Sequence, residues 1–166
     1  MHNLNLNLTQ NFKLKEFLVS SHFTPQQLAL SLTPEILENI FLLATYLQKI
    51  RNLIGKPITI TSAFRTPELN KLIKGSPNSL HLLGKAADFY FQIDKKSLLN
   101  LINFINITPI GEFIIYTKNN SISRFHLALP SFNPKKFEVL LTAKEGTKSY
   151  KPLTPDILDN FLLTTK

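Results

Sequence analysis

A turn, a glycine and a buried strand follow one another between Lys74 and Phe91, and they carry a histidine and a carboxylate with them. The run Lys74-Gly75-Ser76-Pro77-Asn78 is a turn signal. Gly84 lets the backbone bend, or approach a neighbour closely, where a side chain would block it. Ala86-Ala87-Asp88-Phe89-Tyr90-Phe91 then reads as a strand in which small residues give way to aromatics. His81 therefore falls on a loop and Asp88 on a strand, so that both can point at one ion. Taken singly, His81 is as well explained as a surface or core histidine, and Asp88 as a strand-edge charge or a cap. An isolated second histidine, His126 in Phe125-His126-Leu127, completes a set of two imidazoles and one carboxylate. Such a set can hold zinc and leave a fourth position open for water, which distinguishes catalytic from structural sites. On its strand pattern alone, His126 is a half-buried core residue.

The chain has 166 residues and no cysteine. That length suits one domain with one core, here residues 1–166. Without cysteine there is no disulfide framework, no thiolate-ligated zinc and no thiol nucleophile. Any metal must be held by His, Asp or Glu, and the histidines are His2, His22, His81 and His126. Hydrophobic residues make up 43% and charged residues 18%, as in a folded rather than a disordered chain.

The local signals predict helices first and a small sheet after them. Residues 12–17 are expected to form a short element docked on the core. Thr33 can cap a helix with Pro34 in its first position. Ile36, Ile40, Leu43, Leu47, Ile50 and Ile54 follow at helical spacing, and Gly55 and Pro57 end it. That stripe is read as core. A strand is expected over 58–61, a helix opening at Thr66-Pro67, and a helix over 95–105 capped by Asp94. Residues 112–117 and 123–129 read as a hairpin around Lys118-Asn119-Asn120-Ser121. A further strand is expected over 137–142 and a C-terminal helix over 154–163. The order predicts an α+β fold, with helices packed on a small, largely antiparallel sheet.

Ser79-Leu80-His81-Leu82-Leu83-Gly84-Lys85-Ala86-Ala87-Asp88 resembles the Ser-x-His-x-x-Gly-x-Ala-x-Asp signature of peptidase family M15, the zinc D-Ala-D-Ala carboxypeptidases and peptidoglycan endopeptidases. Upstream, Ser62-Ala63-Phe64-Arg65 is similar to the family's serine-x-x-arginine segment, and downstream Arg124-Phe125-His126-Leu127 to the strand bearing the third ligand. The resemblance runs from about Phe12 to about Pro130 and is closest to small phage and bacterial enzymes. It implies a fold shared with the Hedgehog signalling domain and one zinc ion per chain, held by His81, Asp88 and His126. It also implies hydrolysis of amide bonds in peptidoglycan stem peptides or cross-links, as an endolysin or carboxypeptidase. Arg65 would face the oxyanion, with a surface salt bridge as the alternative role. Ser79 would contact substrate or support the ligand loop, or serve simply as a turn residue.

The general base departs from the family pattern. Some members carry Glu three residues before the last histidine, where this chain has Ser123; others carry Asp two residues after it, where it has Ala128. A third branch ends the preceding strand in Tyr-Glu, where it has Tyr116-Thr117. Glu112 is the remaining candidate to move the proton that hydrolysis requires, against an ordinary exposed or salt-bridged glutamate. Tyr116 could stabilise charge at the substrate, or belong to the core. The missing base keeps open a zinc-containing wall-binding or virion-associated module without catalysis.

A net charge of +8 and a pI near 9.7 raise a third class, binding to nucleic acid. The basic residues are scattered, however, and no helix-turn-helix, zinc finger or arginine-rich arm is evident. A lysine-coated surface, drawn to the anionic wall, accounts for the charge without a specific nucleic acid. No apolar run is long enough to insert in a membrane, and residues 1–8 lack the pattern of a secretory signal. The expectation is a monomer made in a host cytoplasm that reaches the wall by lysis or in a virion.

Overall fold

The computed structural model describes residues 2–119, 121–130, 141–147, 149–154 and 156–159. Among the described residues, the helices α1 (Pro25–Ala29), α2 (Pro34–Ile54), α3 (Pro67–Leu72) and α4 (Lys95–Ile107) accompany six strands. These are β1 (Thr59–Ser62), β2 (Ala86–Tyr90), β3 (Glu112–Lys118), β4 (Ser121–Ala128), β5 (Leu141–Lys144) and β6 (Tyr150–Pro152). They form one mixed sheet in the order β1-β2-β4-β3-β5-β6. The fold is α+β, as expected. No helix among the described residues is long and apolar enough to cross a membrane.

Close packing divides the chain into two compact units, residues 1–49 with 60–88 and residues 50–59 with 89–166. In the first, local chemistry sets the helix starts. The Thr33 hydroxyl accepts from Ile36 N at 3.2 Å ahead of Pro34, and the Thr66 hydroxyl accepts from Leu69 N at 3.2 Å ahead of Pro67. The predicted α2 stripe is buried from Ile40 on, with no exposed surface at Ile40, Leu43 and Leu47, while Ile36 is half-buried. Phe12, Leu14, Phe17, Leu28 and Phe64 join that core. The segment over 12–17 contains a 3-10 turn, Leu14–Phe17. It is tied down through Gln48, whose Oε1 accepts from Asn11 N at 2.9 Å, and through Phe17 O, which accepts from Phe64 N at 3.0 Å.

In the second unit, Asp94 accepts from Ser97 N at 2.7 Å and starts α4, whose Leu98, Leu101 and Ile105 are fully buried. The β3–β4 hairpin is antiparallel with Ile114 opposite His126 and Tyr116 opposite Arg124, and a bulge falls between Tyr116 and Thr117. Side chains alternate between faces along each strand. One face carries Phe113, Ile115, Phe125 and Leu127 into an aromatic core. There Phe125 stacks on Phe91 at 5.0 Å and on Phe89 at 5.6 Å between ring centroids. The other face carries Glu112, Ile114 and Tyr116 opposite Ala128, His126 and Arg124.

The pairing of β5 alongside β3 is parallel, with Tyr116 opposite Ala143, and was not anticipated. After β4 the chain returns to the free edge of β3, so β5 runs in the same direction as β3. The strand expected over 137–142 falls mostly outside the described residues; β5 begins at Leu141. Of the expected C-terminal helix, residues 156–159 are helical and the rest lies outside the described residues. The short β6 pairs antiparallel with β5, and all three of its residues are exposed.

Candidate metal centre

His81 sits in a 3-10 turn, Leu80–Leu83, that ends at Gly84 in the left-handed conformation (φ 67°). A Cβ there would lie 3.0 Å from Ile36 O, so the close approach to α2 also needs glycine. Asn39 of α2 donates from Nδ2 to Leu83 O at 2.9 Å, and Arg65 N donates to His81 O at 3.1 Å. The ligand loop is thus held by backbone contacts on two sides.

The His81 ring is buried, with Nδ1 at 2.7 Å from Ala63 O. A carbonyl only accepts, so Nδ1 carries the proton, and in the neutral form of the ring the lone pair lies on Nε2. This is the usual orientation of a metal-binding imidazole, whose second nitrogen donates to a backbone carbonyl or carboxylate. Nε2 lies 3.7 Å from Asp88 Oδ2. Zinc bonds of about 2.0–2.1 Å in a tetrahedron put neighbouring ligand atoms roughly 3.3 Å apart, so this pair is spaced to share an ion.

Arg65 faces the same carboxylate. Its NH2 group donates to Asp88 Oδ2 at 3.1 Å, and its Nε donates to Ser62 Oγ at 2.9 Å. The guanidinium is therefore aimed by Ser62 and keeps positive charge beside Asp88. Ser79 precedes the 3-10 turn and is half-buried; its side chain makes no capping bond, while its N–H donates to Ser76 O at 3.1 Å.

On β4, His126 is 9% exposed, and its Nε2 is 3.4 Å from Glu112 Oε1. The register explains this: Glu112 is two residues before Ile114, the partner of His126, and shares its face. Tyr116, on that face too, lies under the Arg124 guanidinium at 4.2 Å from its ring centroid. Arg124 NH1 donates in turn to Glu145 Oε1 at 2.6 Å. One ligand atom each of His81, Asp88 and His126 lies within 4.8 Å of the other two, so the trio could hold a metal ion.

Three contributions were not assigned from the sequence. The Ala63 carbonyl that sets the His81 tautomer leaves no sequence signal, because any residue supplies one. The Ser62 support of Arg65 was contained in the serine-x-x-arginine spacing. The Arg124–Glu145 pair joins residues from β4 and from beyond β5, and nothing local announces it.

An α+β chain with a His–Asp–His set whose two histidines are buried, one of them held in the metal-binding tautomer, defines a candidate metallohydrolase. The family model for peptidase M15 matches residues 10–127, and the chain belongs to that family. Membership makes it a peptidase of metallopeptidase type, acting on a peptide substrate. No curated protein matches the chain.

Proposed function

We propose that the chain is a zinc-dependent peptidase that hydrolyses amide bonds in bacterial peptidoglycan peptides, with His81, Asp88 and His126 holding one zinc ion. The observation that carries the reading is the ligand trio, inside the span matched by a metallopeptidase family. Peptidoglycan as the substrate, and a phage lysis or virion route to it, rest on the resemblance of the motif segment to small phage and bacterial enzymes. So does the assignment of one catalytic domain acting as a monomer.

The donor set fits zinc: two neutral imidazoles and a carboxylate, without thiolates. When bound, zinc would polarise the scissile carbonyl and lower the pKa of water toward about 7. The residues of the chain do the rest. Arg65 would orient Asp88, and its fixed positive charge would favour the negative charge that develops on the carbonyl oxygen. Glu112, beside His126, would take the proton of the attacking water on its carboxylate. It would return that proton to the nitrogen as the C–N bond breaks. Ser79, at the entrance to the ligand loop, and Tyr116, fixed under Arg124, would contact the peptide.

The test is metal content by plasma mass spectrometry on untagged protein, paired with release of peptides from purified cell wall. About one zinc per chain, lost in His126→Ala, with release abolished in His81→Ala and strongly reduced in Glu112→Gln, is the expected result. Absence of metal after zinc addition would overturn the ligand assignment. Bound zinc with intact stem peptides would instead favour the second reading, a wall-binding module without catalysis, motivated by Ser123 and Ala128 where relatives carry a carboxylate.

A further inference from the structure

Asn70, in the second half of α3, is 4% exposed and anchors the loop that leads to His81. Its main-chain carbonyl accepts from Gly75 N at 2.8 Å, and its side-chain Nδ2 donates to Ser76 O at 2.8 Å. Because Ser76 O can only accept, the amide has one orientation, with Oδ1 turned toward Gly75. That Oδ1 is buried and has no hydrogen-bond partner among the described residues. Burying an unsatisfied acceptor costs about 1–3 kcal/mol, so the amide is kept here for its other end. Gly75 is what allows the arrangement: a Cβ at residue 75 would collide with Oδ1 and come within 2.8 Å of Asn70 Cγ.

The bonds continue toward the ligand. Ser76 O also accepts from Ser79 N at 3.1 Å, and Ser79 O accepts from Leu82 N at 3.0 Å, which brackets His81. Lys74, in the left-handed region at φ 55°, turns the chain back onto Asn70. A non-glycine residue adopts that conformation only when its surroundings hold it there. We propose that Asn70, with Gly75 as its seat, is a positioning residue for the metal-ligand loop, fixing residues 75–81 so that His81 is presented before any ion arrives. This deepens the proposed function and rests on its assignment of His81 as a ligand.

The experiment compares wild type, Asn70→Ala, Asn70→Asp, Gly75→Ala and the double variant Asn70→Ala/Gly75→Ala, with Thr24→Ala as a control that weakens the cap of a different helix. The first readout is amide hydrogen exchange at Leu82 and Gly84 in metal-free protein, below the unfolding transition. The second is zinc affinity by competition with a chromophoric chelator. Asn70→Asp keeps the size and loses the donor, so it should behave as Asn70→Ala does. Exchange at both amides should accelerate at least tenfold in each single variant of Asn70 or Gly75, while α2 amides stay unchanged. If the loop then spends about one-tenth of its time in the binding geometry, zinc affinity falls about tenfold. Gly75→Ala should add less than twofold in the Asn70→Ala background, since the atom it strikes is gone. Thr24→Ala should leave both readouts in place. Unchanged exchange in Asn70→Ala and Asn70→Asp, or fully additive effects of Asn70 and Gly75, would overturn the proposal. Wild-type protein that binds no zinc would refute the ligand assignment, and the exchange data would still decide whether Asn70 holds the loop.

Discussion

Gly84→Ala separates two costs that usually come together. The residue sits at φ 67° and ψ 15°, where an L side chain loses roughly 1–2 kcal/mol to its own backbone. The new Cβ would also stand 3.0 Å from Ile36 O, 3.0 Å from Ile40 Cγ1 and 3.1 Å from Ile36 Cγ2. Ile36 O belongs to the first turn of α2 and cannot rotate away as a side chain can; crowding of this kind costs about 1–3 kcal/mol. The sum is about 2–5 kcal/mol, or a fall in Tm of roughly 4–20 °C for a chain of this size. Gly55 supplies the internal reference, since it has the same left-handed backbone, φ 68°, and a Cβ added there would meet nothing within 4 Å. Gly55→Ala should therefore show the dihedral cost alone, about 1–2 kcal/mol. Urea titrations of both variants, followed by circular dichroism, give the comparison. Equal losses, or a smaller loss for Gly84→Ala, would mean that the approach of the ligand loop to α2 is not a close one, and the steric argument would fail.

Two further substitutions probe the second unit. Phe125→Ala empties the centre of the Phe89, Phe91 and Phe113 stack and should cost about 3–5 kcal/mol by denaturant titration; a loss under about 1 kcal/mol would show that the rings collapse into the gap. The Lys56 ammonium, followed by the Ser97 N–H, holds the Asp94 carboxyl well below its ordinary value of 3.8. A depressed carboxylate stabilises the fold above its unfolded pKa and loses that contribution as pH falls toward the folded one. Asp94→Asn should thus lower Tm at neutral pH, and the two Tm curves should converge as pH drops below 3.8. Curves that stay parallel across that range would exclude Asp94 as the source.

What could be read in advance was whatever depended on neighbouring residues. The starts of α2, α3 and α4 follow from Thr33, Thr66 and Asp94, whose oxygens accept from an N–H three residues on. The hairpin follows from two β-rich runs around Lys118 and Asn119, and Asn119 takes the positive φ that such a turn needs. Helix α1 carries its own capping box, Thr24 with Gln27, but five residues give no periodicity to detect. The parallel β3–β5 pairing depends on where the chain returns after β4, and no local pattern encodes a return path. At the site, the resemblance of the motif segments implied His81, Asp88 and His126 as ligands, and one ligand atom of each lies within 4.8 Å of the others. The supports of that set are less visible in sequence. The tautomer of His81 depends on a backbone carbonyl, and the setting of Tyr116 on a cation directly across the hairpin.

Among the described residues the sheet ends at β6, and that strand also governs how the protein behaves in company. An outer strand with open N–H and C=O groups is a template on which another chain can add. β6 offers only Tyr150, Lys151 and Pro152. Pro152 has no donor to give, and Lys151 places a charge that would meet its own kind if two such edges came together. An incoming strand would find too short a ladder to hold. On this side the sheet stops itself, and crowded solutions of the protein should not grow fibrils from β6.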